Sequence, residues 1–357
     1  MTLHDIYREA GAELASDGIP LHFGDVAGEY QAAFNGAVLL DRSHEGRIEL
    51  SGADRFDLLN RMSTNDTLNM KTGEGRPTIF TNATARILDR VLVYHHRPER
   101  LLIVTGAGRN TAVGRYIQSN IFYGDDVQVH NIQGATAQFE IHGATADDVA
   151  SKFIAASKFI DAAPDAGSDA LYSTTVDGFK ADFIRVKKAL YGAAWRVIVG
   201  QGNAPAMWSA LREAGATPSG GVVYNAHRIR AGLPSVGTEL TERYIPLELG
   251  LWDEVSFTKG CYTGQEIIAR MESRGKLAKM LVRLQTAQAV ASDTPLFSAG
   301  KRAGEITSSV IAPDGECYAM GVVKAGVVND GATLHTEDAP SAPIHIGDIL
   351  GVQPLHG

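Results

Sequence analysis

Helical and strand-like spacings of apolar residues are mixed along the first 275 residues of this chain, and strand-like spacing alone continues beyond them. Residues 4–15 bring Ile6, Tyr7, Ala10 and Leu14 onto one helical face, which Asp17-Gly18-Ile19-Pro20 stops. Runs with strand character follow at 47–50, 86–94, 101–105, 127–132 and 138–142, with helical patterns at 53–62 and 110–119 between them. Strands are expected again at 183–187 and 195–199 around the turn-like Leu190-Tyr191-Gly192. Helices are expected at 204–214 and 222–231, before Gly232-Leu233-Pro234. After Gly275, short strands at 280–284, 304–310, 318–323 and 332–335, separated by Gly, Pro and Asp turns, predict a small antiparallel barrel. The expected class is α+β, with residues 1–275 as one region and 276–357 as the barrel. The Ala- and Asp-rich residues 155–169 read as an exposed helix end or loop.

Composition narrows the function classes. A chain of 357 residues with 44% hydrophobic and 21% charged residues is ordinary globular material, enough for two or three domains. A formal charge of −8 argues against nucleic acid or an anionic membrane as the default partner, because phosphate attraction needs a basic surface. The two cysteines, Cys261 and Cys317, suggest neither a disulfide framework nor a Cys-x-x-Cys metal site, and a cytoplasmic setting fits them. The first residues carry acids and no apolar core of a signal segment, and no run approaches the length that crosses a bilayer.

The most specific run is Lys259-Gly260-Cys261-Tyr262-Thr263-Gly264-Gln265-Glu266. Thr263 and Glu266 have the spacing of a capping box, and Ile267, Ile268 and Met271 continue as an apolar stripe toward Gly275, a natural helix end. A helix is therefore expected to start just after Cys261. Its unpaired N–H groups and dipole, with Lys259 two residues away, would bias the thiol toward thiolate. The same residues also describe a tight turn, a capped helix and a small buried cysteine. Arg270, Arg274, Lys276 and Lys279 either complement the helix dipole or, with Lys259, form an anion-binding rim for a ligand bearing carboxylates.

Elsewhere the candidate chemistry is thinner. The strand at 86–94 is apolar on both faces from Val91 onward, so it is expected inside a sheet. Neighbouring Asp89 and Arg90 point to opposite sides, so each needs another partner, a ligand or a wet strand end. Thr105-Gly106-Ala107-Gly108-Arg109-Asn110-Thr111 lacks the third glycine of a dinucleotide fingerprint and reads as a strand-to-helix turn. His95-His96 is expected on a turn facing water, and no metal site is indicated. Cys317 is assigned to core packing.

The run 259–266 resembles the signature of the YgfZ family, folate-binding relatives of the glycine-cleavage T-protein that assist iron–sulfur enzymes. Similar landmarks span most of the chain: Gly36-Ala37-Val38-Leu39-Leu40-Asp41-Arg42-Ser43-His44, Ile48-Glu49-Leu50-Ser51-Gly52, Thr64-Asn65-Asp66 and Gly304-Glu305-Ile306-Thr307-Ser308. The resemblance implies a T-protein-like arrangement of three subdomains around a central channel, two of them interleaved in 1–275. It implies tetrahydrofolate or a derivative as cofactor and iron–sulfur client proteins as partners. By the same resemblance, Cys261, Lys259 and Asp89 are candidate catalytic residues. Asn65, Asp89, Tyr94, Arg230, Glu248, Tyr262, Gln265, Glu266 and Arg270 are candidate folate contacts.

Two departures bear on activity. Where the T-protein has two adjacent aspartates on the strand, this chain has Asp89 and then Arg90, so catalytic assistance is missing if the second carboxylate supplies it. Arg230 in Arg228-Ile229-Arg230-Ala231-Gly232 takes the place of a glutamate that would hold the pterin edge. A guanidinium cannot accept a hydrogen bond, so Glu248 is the expected substitute. Three readings follow: a YgfZ-like accessory protein, a folate-dependent aminomethyl or methyl transferase, and a binding module that has lost folate.

Overall fold

The computed structural model describes residues 1–154 and 169–350, so the expectation for residues 155–169 lies almost entirely outside the described residues. The chain forms two compact units. The first is Met1–Leu59, Thr67–Pro77 and Val91–His227; the second is Asn60–Asp66, Thr78–Arg90 and the chain from Arg228 onward. The chain crosses from one to the other within the helices Arg55–Met62 and Gly221–Ala231, within the strands Glu74–Thr81 and Ile87–Arg97, and between Asp66 and Thr67.

The larger sheet runs in the order Ala216–Ser219, Ala37–Asp41, Thr136–Gly143, Ala193–Gly200, Phe179–Val186, Asp169–Val176, Glu74–Thr81, Ile87–Arg97, Arg100–Ala107, Glu45–Ser51, Gln128–Asn131. Its edge pair Ala216–Ser219 with Ala37–Asp41 is parallel. Alternation along the strands sorts the two faces. Leu39, Ile141 and Trp195 stand in register, as do Phe139, Val197 and Phe183, and all six join the first unit's main core. The helices Leu3–Glu9, Ala146–Ile154 and Ala204–Glu213 close that core with Tyr7, Val149 and Trp208, whose ring lies 4.8 Å from that of Tyr7. The intervening positions place Arg196 directly opposite Glu140.

In the second unit, the strands Lys279–Gln285, Pro295–Ser298, Lys301–Ile311, Cys317–Lys324 and His345–Ile349 form a five-stranded antiparallel sheet. The strand expected at 332–335 contributes only isolated bridges, Leu334 with Ile344 and His335 with Phe297, and a helix Ala325–Asn329 precedes it. A second core gathers Ile79, Ile87, Ile229, Tyr244, Leu249, Leu281 and Met320.

The helix Asn110–Ser119 and its strand-to-helix turn stand where the apolar spacing puts them, with Gly108 at φ +72° in the turn. The helix expected at 4–15 ends at Glu9, because Gly11 adopts φ +82° and Glu13–Leu14 pairs with Pro20–His22 as a short ribbon. His95 and His96 are not on a turn: both lie in the strand Ile87–Arg97. His96 is buried, 2.7 Å from Asp182 and 3.7 Å from Glu49, so it does not face water. Among the described residues no helix is long and apolar enough to cross a membrane.

Candidate functional site around Cys261

Residues 60–66, a helix end and the loop after it, and the hairpin 78–90 are the second unit's two early segments, and both support the later chain that carries the thiol. Ser63 bridges to Phe80, and Thr64 Oγ1 donates to Glu254 O at 2.6 Å while accepting from Ile79 N at 3.1 Å. Ser256 N in turn donates to Thr64 O at 2.9 Å. Lys259 then reaches beneath the loop: its ammonium donates to the carbonyls of Ser63 at 2.6 Å, Asn65 at 2.9 Å and Asn60. An ammonium has three N–H donors, and these carbonyls take all three rather than the sulfur. Burial pushes the amine down to about 8, with Asp66 opposing the shift.

Cys261 is exposed, which excludes the reading of a small buried cysteine. The capping box expected from Thr263 and Glu266 does not form. The helix Gln265–Arg274 starts behind Gly264, whose φ is +87°, and no side chain caps it. Two contacts with the hairpin decide this. Thr81 Oγ1 donates to Thr263 O at 2.5 Å, and a Cβ on Gly264 would stand 2.7 Å from Asn82 O and 2.9 Å from Ala85 Cα. Glycine is thus required both by its backbone angle and by the space. The thiol consequently stands three residues ahead of the N-cap, where the helix dipole reaches it weakly. At the other end Gly275 terminates the helix at φ +58°, as its sequence predicts.

On the other side of the cysteine, Tyr262 is buried with Ile245, Leu247, Trp252, Val255 and Ile268. Burial pushes its phenol up to about 12, and the Lys259 ammonium stands 5.1 Å from its ring. An exposed thiol therefore sits between two anchored neighbours.

The remaining candidates divide by unit. Arg90 forms a two-pronged pair with Glu254, Nε to Oε2 at 2.6 Å and Nη2 to Oε1 at 2.8 Å, and Glu254 is fully buried. Asp89 is buried as well, so the wet strand end does not apply to it. Buried Glu248 accepts from Ile245 N at 3.1 Å, with Arg86 Nη1 3.6 Å away; desolvation raises its pKa against those two groups and the Lys279 charge. Asn65 Oδ1 accepts from Asp66 N at 2.9 Å. Arg230 lies half-buried over the Tyr318 ring, 5.6 Å from its centroid. Gln265 is half-buried, and Glu266 and Arg270 are exposed on the helix. Tyr94 alone among these candidates belongs to the first unit, where it donates to Asp169 at 3.1 Å and accepts from Arg196 at 2.7 Å. Sequence reasoning missed Glu254, which lies 164 residues from its partner; a carboxylate between Trp252 and Val255 was its only signal.

A family profile described as the GCVT N-terminal domain matches residues 3–259. The chain belongs to that family. The glycine cleavage system aminomethyltransferase T from Bartonella henselae has the same fold, with a TM-score of 0.82 over 99% of this chain and 98% of that one, at 21% identity. The architecture is accordingly an α+β, T-protein-like fold. Among curated relatives, an aminomethyltransferase from Moorella thermoacetica is 29% identical over 346 residues, 93% of this chain and 91% of that protein. A chloroplast protein of Arabidopsis thaliana, named as a candidate transferase, is 28% identical over 92% of this chain and 75% of its own length.

Proposed function

We propose that this GCVT-family chain binds tetrahydrofolate or a derivative and supports iron–sulfur enzymes in the cytoplasm in the manner of the YgfZ family, with Cys261 as its reactive thiol. The observation that supports this reading is an exposed sulfur held between two anchored residues, Lys259 and Tyr262. Such a loop presents the thiol to a ligand or client while its backbone stays fixed. On this reading the folate site belongs to residues 1–275, and 276–357 are the small antiparallel barrel.

The residues fit a pterin in part. Asp89 and Glu248 are buried carboxylates that would accept from its N–H groups, and Asn65, Tyr94, Gln265, Glu266 and Arg270 are the further contacts proposed. Arg230 does not fit that edge, since it only donates. Calorimetry with tetrahydrofolate and its formyl derivative tests the binding: wild type gives heat and Arg230→Glu binds more tightly. Absence of heat from either protein at high ligand concentration would leave only a folate-free binding module. Iodoacetamide labelling against pH tests the thiol separately. A Cys261 that reacts no faster than a free cysteine near neutral pH removes its proposed role.

A second reading, a folate-dependent aminomethyl or methyl transferase, is favoured by the burial of Asp89 and by relatives named as aminomethyltransferases. The fork between Arg90 and Glu254 weighs against it, because a neutralised arginine stands where the resemblance implies a second carboxylate. Turnover of an aminomethyl or methyl donor with tetrahydrofolate, abolished by Asp89→Asn, would establish it over the accessory role.

A further inference from the structure

We propose that the second unit carries a separate site for a small, multiply charged anion, in a cleft lined by Arg86, Arg243, Lys279, Arg302 and Lys324. The cleft encloses about 530 Å³, the size of a small-molecule site rather than of a nucleic-acid or membrane face. Its five cations meet two carboxylates, Glu242 and Glu305, in a chain whose formal charge is −8. Positive charge is therefore concentrated here against the trend of the whole sequence.

The register of the sheet strengthens the point. Lys279 and Lys324 are direct partners across adjacent antiparallel strands, so both side chains leave the same face at close range. Like charges in that relation are destabilising unless something negative lies over them. Their neighbours inside the protein supply only part of it: the Lys324 ammonium donates to Arg302 O at 2.6 Å, and that of Lys279 stands 5.5 Å from the ring centroid of Tyr244 and feels the buried Glu248 carboxylate, which it shares with Arg86. The arginines are better matched. Arg243 lies 2.6 Å from Asp293, Arg302 lies 3.0 Å from Glu305, and Arg86 lies 3.6 Å from Glu248. Glu305 also accepts from the Tyr244 hydroxyl at 2.5 Å. Lys324, together with a Lys279 that shares Glu248 with Arg86, thus leaves the cleft with a surplus of positive charge, and the arginines around them provide forked donors for a second and third anionic group. A short chain of phosphates and a short chain of carboxylates share that chemistry.

Titration of the full chain with inorganic tripolyphosphate and, separately, with tri-γ-glutamate distinguishes the sources without relying on the folate reading. Saturable binding of at least one is expected, falling steeply with salt and weakened about tenfold or more in the double variant Lys279→Glu, Lys324→Glu. Tighter binding of one anion assigns the site to phosphates or to carboxylates. Binding of neither, or binding undiminished in the double variant, overturns the proposal. Lys279→Gln guards against misfolding of that variant. It should raise the melting temperature of the free protein and shrink the rise that the anion causes; an anion-induced rise equal to wild type overturns the site just as directly.

Discussion

Arg196 and Lys259 are both cations withdrawn from water, and their surroundings push them in opposite directions. Arg196 faces carboxylates: its Nη2 donates to Glu140 Oε1 at 2.6 Å, Glu45 lies 3.9 Å away, and Tyr94 accepts from its Nη1 at 2.7 Å. Those partners outweigh desolvation and hold the guanidinium above its ordinary range, while Glu140 is held well below the carboxylate range despite its burial. Lys259 faces neutral carbonyls, so desolvation prevails and its amine falls to about 8. Charge met by opposite charge gives the first unit a locked ion-pair network within its sheet. Charge met mainly by dipoles, with Asp66 too weak to offset burial, gives the second unit a titratable support under the loop that displays Cys261.

Breaking the first assembly has the largest expected effect. Glu140→Ala leaves Arg196 buried beside a vacated position and should cost about 3–5 kcal/mol in urea unfolding, whereas replacing both residues with methionine should cost far less. Equal losses from the single and double changes would show that Arg196 and Glu140 do not act as a pair. Next is Gly264→Ala, expected to cost roughly 1–3 kcal/mol because an L-residue is strained at that φ and meets Asn82 O. Thermal melting that matches wild type would contradict the close packing against the hairpin. Smaller is the pH effect at Lys259. Between about 8 and the usual lysine value only the unfolded chain keeps this proton, so wild type should gain stability relative to Lys259→Met as pH rises through that interval. A difference that stays flat across it would remove Lys259 from the comparison. Last, alkylation of the native protein followed by mass spectrometry should modify exposed Cys261 before half-buried Cys317, with no change in stability. Simultaneous modification would break the distinction between a displayed and a packed thiol.

Much of this architecture was legible along the chain. Apolar spacing marked the helix Asn110–Ser119, the two-sided apolar run marked Ile87–Arg97 as an internal strand, and Gly275 marked a helix end, because each depends on neighbours within a few residues. The run 259–266 likewise carried the family resemblance, and Cys261 stood out within it. Tertiary structure decided everything that joins distant segments. The Lys259 ammonium finds its carbonyls 194 to 199 residues away, and Arg90 finds Glu254 at a separation of 164. The capping box at Thr263 failed for the same reason: the hairpin claims that threonine's carbonyl and leaves only glycine room to follow it. A local pattern states which hydrogen bonds a segment can make by itself, and only packing determines whether a remote donor or atom reaches the place first.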